Sequence, residues 1–260
     1  MTEQTLRNPM RDKMQAGNLC IGMIVRLIRG VEVVAIAKMA GFDVLFIDLE
    51  HNGFSHETAT QLALTANLAG ITPLVRVAQC DAIEIGRAMD TGAMGVIVPG
   101  IDTAAQAAAA VQATKFPPLG QRSVMPCLPQ LNFQPMAVLP SMQAVNAAVL
   151  LVAMIEGPVA LANVDSIAAV KGVDMLLVGA NDLSNALGHA GVIDHPDVRT
   201  AFGRVARACK DNEIFFGVGG LGQHPDLAKE MIAMGATYAT AGADITFFTN
   251  AAIANARKLR

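Results

Sequence analysis

Four stretches of this sequence set acid–base or cation-binding side chains directly behind short apolar runs. Asp48-Leu49-Glu50-His51 ends one run and Arg76 closes Thr72-Pro73-Leu74-Val75. Glu156 follows Ile155, and Asp182 stands in Gly179-Ala180-Asn181-Asp182 just past another run. Only 16% of the residues are charged, so charges at four such places call for a common explanation. Glu156 and Asp182 offer the oxygen ligands that Mg²⁺, Mn²⁺ or Co²⁺ take while keeping positions open for water or a bound acid. Plainer readings stand beside this one: Asp182 as a helix N-cap, and Glu156 as a solvated loop residue. Arg76 would be buried at the end of an apolar run, and a buried guanidinium needs an anion. That anion is either a substrate or Asp48 or Glu50. His51 has the chemistry of a base near neutral pH, with Asp48 or another carboxylate fixing its tautomer. The backbone N–H groups of Gly179, Ala180 and Asn181 open a helix and suit a substrate carboxylate. His56, His189, His195 and His224 fall in loops or helix starts and read as solvated. Gly217-Val218-Gly219-Gly220-Leu221-Gly222 is a weak phosphate signal, equally suited to a flexible loop.

These groups act together only if the ends of their runs meet. Eight apolar runs, at 19–25, 43–48, 72–77, 95–98, 149–155, 174–178, 214–218 and 237–241, alternate with amphipathic segments of helical length. Those segments include 31–40, 55–69, 103–114, 196–211 and 226–234. Runs apolar on both faces belong to parallel strands covered by helices. Repeated eight times, the pattern predicts a (β/α)₈ TIM barrel whose functional groups gather at the C-terminal ends of the strands. Gly41, Gly70, Gly92 and Gly235 each follow a helix and should be left-handed caps at the opposite end. Residues 1–15 are expected to add a helix before the first strand. Residues 243–260 add one after the last, used in subunit contacts. No linker, repeat or low-complexity tract interrupts residues 1–260, which read as one barrel domain.

Composition removes several classes of function. Nineteen Lys and Arg against 22 Asp and Glu leave no basic field for a nucleic-acid backbone. The longest charge-free stretch, 123–155, is broken by four prolines, so no run of about 20 apolar residues spans a membrane. Cys20, Cys80, Cys127 and Cys209 are far apart, which fits free thiols in a reducing cytosol, and no secretory signal opens the chain. The surplus of Ala, Met and small aliphatics predicts a homo-oligomer. None of the seven lysines falls on a strand, so Schiff-base chemistry has no candidate residue.

At these residues the chain resembles the class II pyruvate-dependent aldolases of the HpcH/HpaI aldolase/citrate lyase family. The resemblance is carried by Phe46-Ile47-Asp48-Leu49-Glu50-His51, Pro73-Leu74-Val75-Arg76, Met89-Asp90-Thr91-Gly92-Ala93 and Val96-Ile97-Val98-Pro99. Phe116-Pro117-Pro118-Leu119-Gly120-Gln121-Arg122, Ile155-Glu156 and Gly179-Ala180-Asn181-Asp182-Leu183-Ser184 continue it in the right order. It implies that Glu156 and Asp182 are the metal ligands, that His51 is the base supported by Asp48, and that Arg76 polarises a keto oxygen. Glu50, Asp90 and Arg122 would support the site from behind or across a subunit contact, and the family's usual assembly is a hexamer, a trimer of dimers. The implied reaction is reversible aldol cleavage of a 4-hydroxy-2-oxo acid to pyruvate, or hydroxypyruvate, and an aldehyde. Ser123 replaces the glycine that usually follows the Gly-x-Arg motif, and the apolar run after it is expected to line the acceptor side. The same site would also serve decarboxylation of oxaloacetate or attack on an acyl thioester, although no basic cluster is present to hold coenzyme A. A catalytically silent barrel that binds 2-oxo acids is the non-enzymatic alternative.

Overall fold

A computed structural model describes residues 6–260. Eight parallel strands close into a barrel in chain order: β1 (Cys20–Val25), β2 (Val44–Asp48), β3 (Thr72–Arg76), β4 (Gly95–Val98), β5 (Leu150–Ile155), β6 (Met175–Gly179), β7 (Phe215–Gly219) and β8 (Ala236–Ala243). Each expected strand is present, with ends moved by no more than two residues. The (β/α)₈ TIM barrel read from the sequence is therefore the fold.

Side-chain parity sets the inside of the barrel. Val44, Phe46, Leu74, Ile97, Val152, Met154, Met175 and Leu177 pack with one another in the interior. The alternate residues, among them Leu45, Ile47, Val75, Val96, Leu151 and Leu176, pack outward under the helices. Because strand side chains alternate with a period of two, Val44-Phe46 leads to Asp48, Leu74 to Arg76, Met154 to Glu156 and Leu177 to Gly179. All four end in the top layer of the interior.

Tyr238 of β8 fills the middle of the barrel and is fully buried. A Cβ on Gly22 of β1 would lie 2.4 Å from its hydroxyl oxygen, and one on Gly217 of β7 would lie 3.1 Å from its ring. Both neighbouring strands thus need glycine. Gly22→Ala is expected to lose about 1–3 kcal/mol of unfolding free energy through overpacking. An unchanged denaturation midpoint in that variant would contradict this account.

The helix Pro9–Gln15 closes the bottom of the barrel, placing Met10 and Met14 in the interior cluster. Asn8 caps it and donates through Nδ2 to the carbonyls of Met94 and Ala148. This is the extra helix expected from residues 1–15, of which the first five lie outside the described residues. At the same end Lys115 is buried, donating to Asp174 (2.9 Å) and to the Val149 carbonyl (2.7 Å), so it lies away from the catalytic rim expected for this fold. The four turn glycines, Gly41, Gly70, Gly92 and Gly235, have φ between +69° and +105°, as left-handed caps require.

Two helices were less legible. Val138–Ala148 lies inside the proline-interrupted stretch; its Pro140 occupies the first turn, where an N–H has no intrahelical partner to lose. Ala82–Asp90 is capped by Asp81, which accepts from Ile83 and Glu84. The C-terminal helix, Asp244–Lys258, leaves Ile245, Phe248 and Ile253 exposed. No helix among the described residues is long and apolar enough to cross a membrane.

All four cysteines are unpaired. Burial pushes the Cys20 and Cys209 thiols up to about 12, whereas Cys127 is exposed. A thiol reagent is expected to label Cys127 in the folded protein and Cys20 and Cys209 only after unfolding. Mass-spectrometric mapping of fast-labelled positions checks this.

Candidate functional site

Asp48, at the end of β2, is fully buried and carries the densest set of bonds at the rim. Its Oδ1 accepts from Arg76 Nε (2.9 Å), and its Oδ2 accepts from Arg76 Nη2 (2.6 Å) and Arg26 Nε (2.5 Å). Oδ1 also takes the backbone N–H groups of Glu50 (3.0 Å) and His51 (3.3 Å). Burial alone would raise the Asp48 carboxyl, but Arg76 and then Arg26 hold it down at about 2. Arg76 is equally enclosed: burial opposes its charge, yet Asp48, Glu50 and Glu156 push its pKa above the usual value. Its Nη1 lies 2.8 Å from Glu50 Oε2, and its guanidinium sits over the Phe46 ring at 5.4 Å. Both plain partners considered for Arg76, Asp48 and Glu50, are therefore present.

His51 is exposed and its Nε2 lies 3.6 Å from Glu50 Oε2. Glu50 is the carboxylate flanking the imidazole. Asp48, expected to support the ring, holds only the backbone N–H of His51, because its side-chain oxygens are already occupied by two arginines.

Glu156, just past β5, accepts from the Gly100 N–H at 3.2 Å. Burial raises its pKa, as do the charges of Glu50 and Asp182, with Gly100 and Arg76 in opposition. A Cβ on Gly179 would lie 2.9 Å from Glu156 Oε1, so glycine there leaves room for the carboxylate. Asp182 is the third residue of the helix Ala180–Ala186, whose N-cap is Gly179, and no side chain caps that helix. The capping alternative for Asp182 is thereby replaced. Among the described residues, Arg26 and Arg76 are the permanent cations paired with the rim carboxylates Asp48 and Glu50. Against four carboxylates that leaves two negative charges in excess; Glu156 is raised chiefly by burial, with Glu50 and Asp182 adding to it. One divalent cation held by Glu156 and Asp182 would correct that excess, and the oxygen donors fit Mg²⁺, Mn²⁺ or Co²⁺.

His51, Arg76, Gly179, Asn181 and Asp182 line one cavity of about 290 Å³. A second, of about 360 Å³, is lined by Ile193, Gln223, His224 and Phe247. The two share Ile24, Arg26, Asn181, Gly220 and Thr240 as a common wall. Sequence reading did not single out Arg26, although it ends an apolar run just as Arg76 does. Nor did it find Asp244, whose buried carboxylate accepts the N–H groups of Arg26 (2.9 Å), Leu27 (3.0 Å) and Ile28 (2.8 Å).

Other expectations change. Residues 123–127 are exposed and line neither cavity; the larger one is walled by the ends of β1, β7 and β8. Asp90 and Arg122 pair with each other at 2.8 Å, with Arg122 over Phe116, and neither lines the rim cavities. His189 and His195 are not simply solvated: their rings stack at 3.4 Å and flank Asp197. His56 lies 3.5 Å from Glu84.

A closed parallel barrel with carboxylates, a buried arginine and an imidazole at its C-terminal rim has the architecture of a (β/α)₈ enzyme. The match to a family model, HpcH/HpaI aldolase/citrate lyase, covers residues 29–251, and the chain belongs to that family. It is a carbon–carbon lyase. The chain is 42% identical to a 4-hydroxy-4-methyl-2-oxoglutarate aldolase of Chaetomium globosum, over 85% of this chain and 82% of that protein. It is 34% identical to a 2-dehydro-3,6-dideoxy-6-sulfogluconate aldolase of Pseudomonas putida, over 82% of each. The crystal structure of an HpcH/HpaI aldolase from Desulfitobacterium hafniense superposes with a TM-score of 0.90 at 29% identity, over 96% of this chain and 95% of that one.

Proposed function

We propose that the protein catalyses divalent-metal-dependent, reversible aldol cleavage of 4-hydroxy-2-oxo acids, giving pyruvate or hydroxypyruvate and an aldehyde or other carbonyl compound. The observation that carries this reading is the convergence of Asp182, Arg76 and His51 on the 290 Å³ cavity, with Glu156 packed against its Gly179 wall and coupled to Asp182 and Arg76. The related aldolases, whose named substrates are 2-oxo acids, support it. Glu156 and Asp182 would hold a divalent cation, which would supply Lewis-acid positive charge to a bound 2-oxo acid. Arg76, held rigid by two bonds to Asp48, presents further positive charge where the keto oxygen becomes negative. His51, flanked by Glu50, takes the proton from the 4-hydroxyl group. The C3–C4 bond then breaks, its electron pair stays on C3 as the enolate of the 2-oxo acid, and a proton added at C3 completes the product. The backbone of Gly179, Ala180 and Asn181 lines the same cavity and is where the substrate carboxylate belongs.

Nuclear magnetic resonance of pyruvate in D₂O tests the core of the reading. The methyl protons are expected to exchange with enzyme and Mg²⁺, Mn²⁺ or Co²⁺, and to stop exchanging after chelation. No exchange with metal present overturns the proposal. We also propose a cytoplasmic homohexamer built as a trimer of dimers; the exposed Ile245, Phe248 and Ile253 of Asp244–Lys258 support a subunit contact through that helix.

A further inference from the structure

We propose that Arg26 and the 360 Å³ cavity beyond it form a carboxylate-binding subsite for the departing carbonyl fragment. The preferred substrates would then carry a second carboxylate on the C4 side of the bond that breaks. This rests on the aldol reading above and extends it to a class of substrate.

Arg26 continues the inward parity of β1, two residues past Ile24. Only its Nε is engaged, by Asp48; among the described residues its two terminal nitrogens make no hydrogen bond, and the side chain is 31% exposed. Arg26 lines both cavities. Arg76 differs: its side chain is only 5% exposed, and each of its three nitrogens already faces Asp48 or Glu50.

Among the described residues no carboxylate lines the larger cavity, and Arg26 is the one permanent charge in its lining. Asn181, Gln223, Thr240 and Asn250 add neutral hydrogen-bonding groups. Asp182 lines the smaller cavity, and Asp48, Glu50 and Glu156 lie beside Arg76 in its wall, so a second anionic group is disfavoured there. An acidic substrate end is therefore directed into the larger space. Asp244 fixes the backbone of Arg26, Leu27 and Ile28, so little ordering is lost when the anion binds. The carboxylate takes no part in bond breaking: it leaves with the fragment whose C4 becomes the new carbonyl carbon.

Cleavage of 4-hydroxy-2-oxoglutarate and of its 5-amide, measured side by side, tests the subsite. The wild-type enzyme is expected to favour the diacid by roughly 10- to 100-fold in kcat/KM, with most of the difference in KM, as hydrogen bonds to a charged group predict. Arg26→Gln is expected to abolish that ratio, and Arg26→Lys to restore part of it. Equal rates on both substrates in the wild type overturn the proposal. So does an Arg26→Gln variant in which both fall by the same factor, because Arg26 would then act only by holding Asp48. Metal-dependent exchange of pyruvate protons separates the two levels: exchange without a diacid preference removes the subsite alone, and no exchange removes the underlying reaction too.

Discussion

Glu156→Gln and Asp182→Asn variants are expected to lose metal binding and turnover together while remaining folded. Each removes one of two anionic oxygen ligands, and the backbone around both positions is held by strand and helix bonds that the substitutions leave alone. Metal affinity should fall by at least about 100-fold, since even indirect partners of a ligand are worth 10- to 100-fold. The stability of the metal-free proteins gives an independent readout. The folded-state pKa of Glu156 is raised, so its contribution is complete at low pH and is lost as pH rises through that value. At neutral pH the wild-type carboxylate is therefore a burden on the metal-free fold. Glu156→Gln without metal should melt at or above the wild-type temperature, and added metal should reverse that order by stabilising only the wild type. Equal stabilisation of both proteins by metal would show that the cation is held elsewhere.

Asp48→Asn should be the most damaging substitution for stability at the rim, by about 3–5 kcal/mol. The carboxylate is fully buried and compensates Arg76, whose side chain is only 5% exposed. Asparagine keeps the shape but leaves a buried guanidinium with Glu50 in contact and Glu156 nearby as its remaining anions. Turnover should fall as well, because Arg76 loses the fork that aims it and Arg26 loses its partner. The pH dependence has a fixed sign. The Asp48 pKa lies at about 2 against an ordinary 3.8, so its stabilisation is complete above pH 4 and is lost as pH falls through about 2. The shift corresponds to about 2 kcal/mol. Urea unfolding of wild type and variant at pH 7 and pH 3 should thus show a gap that narrows in acid. A gap that is constant with pH contradicts the assignment of that stability to the Asp48 charge.

The sequence by itself determined the barrel and the address of its chemistry. A parallel strand covered on both faces must be apolar throughout, which made residues 44–47, 72–75 and 150–155 legible. Period-two alternation then turned Asp48, Arg76 and Glu156 inward without any knowledge of their neighbours. Glycines after helices were equally plain, because a left-handed cap is a local requirement.

What only the tertiary structure decided is which charged group meets which. The Asp48 carboxylate pairs with Arg76 and Arg26, and the carboxylate nearest the His51 ring is that of Glu50, at 3.6 Å; parity says which face a side chain occupies, not which partner it finds there. Asp244 anchors the turn bearing Arg26 from 218 residues away, a contact that exists only because β8 closes against β1. The exposed segment at 123–127 lines neither cavity for a related reason: loop path depends on the packing beneath the loop, and no period in its own residues encodes it.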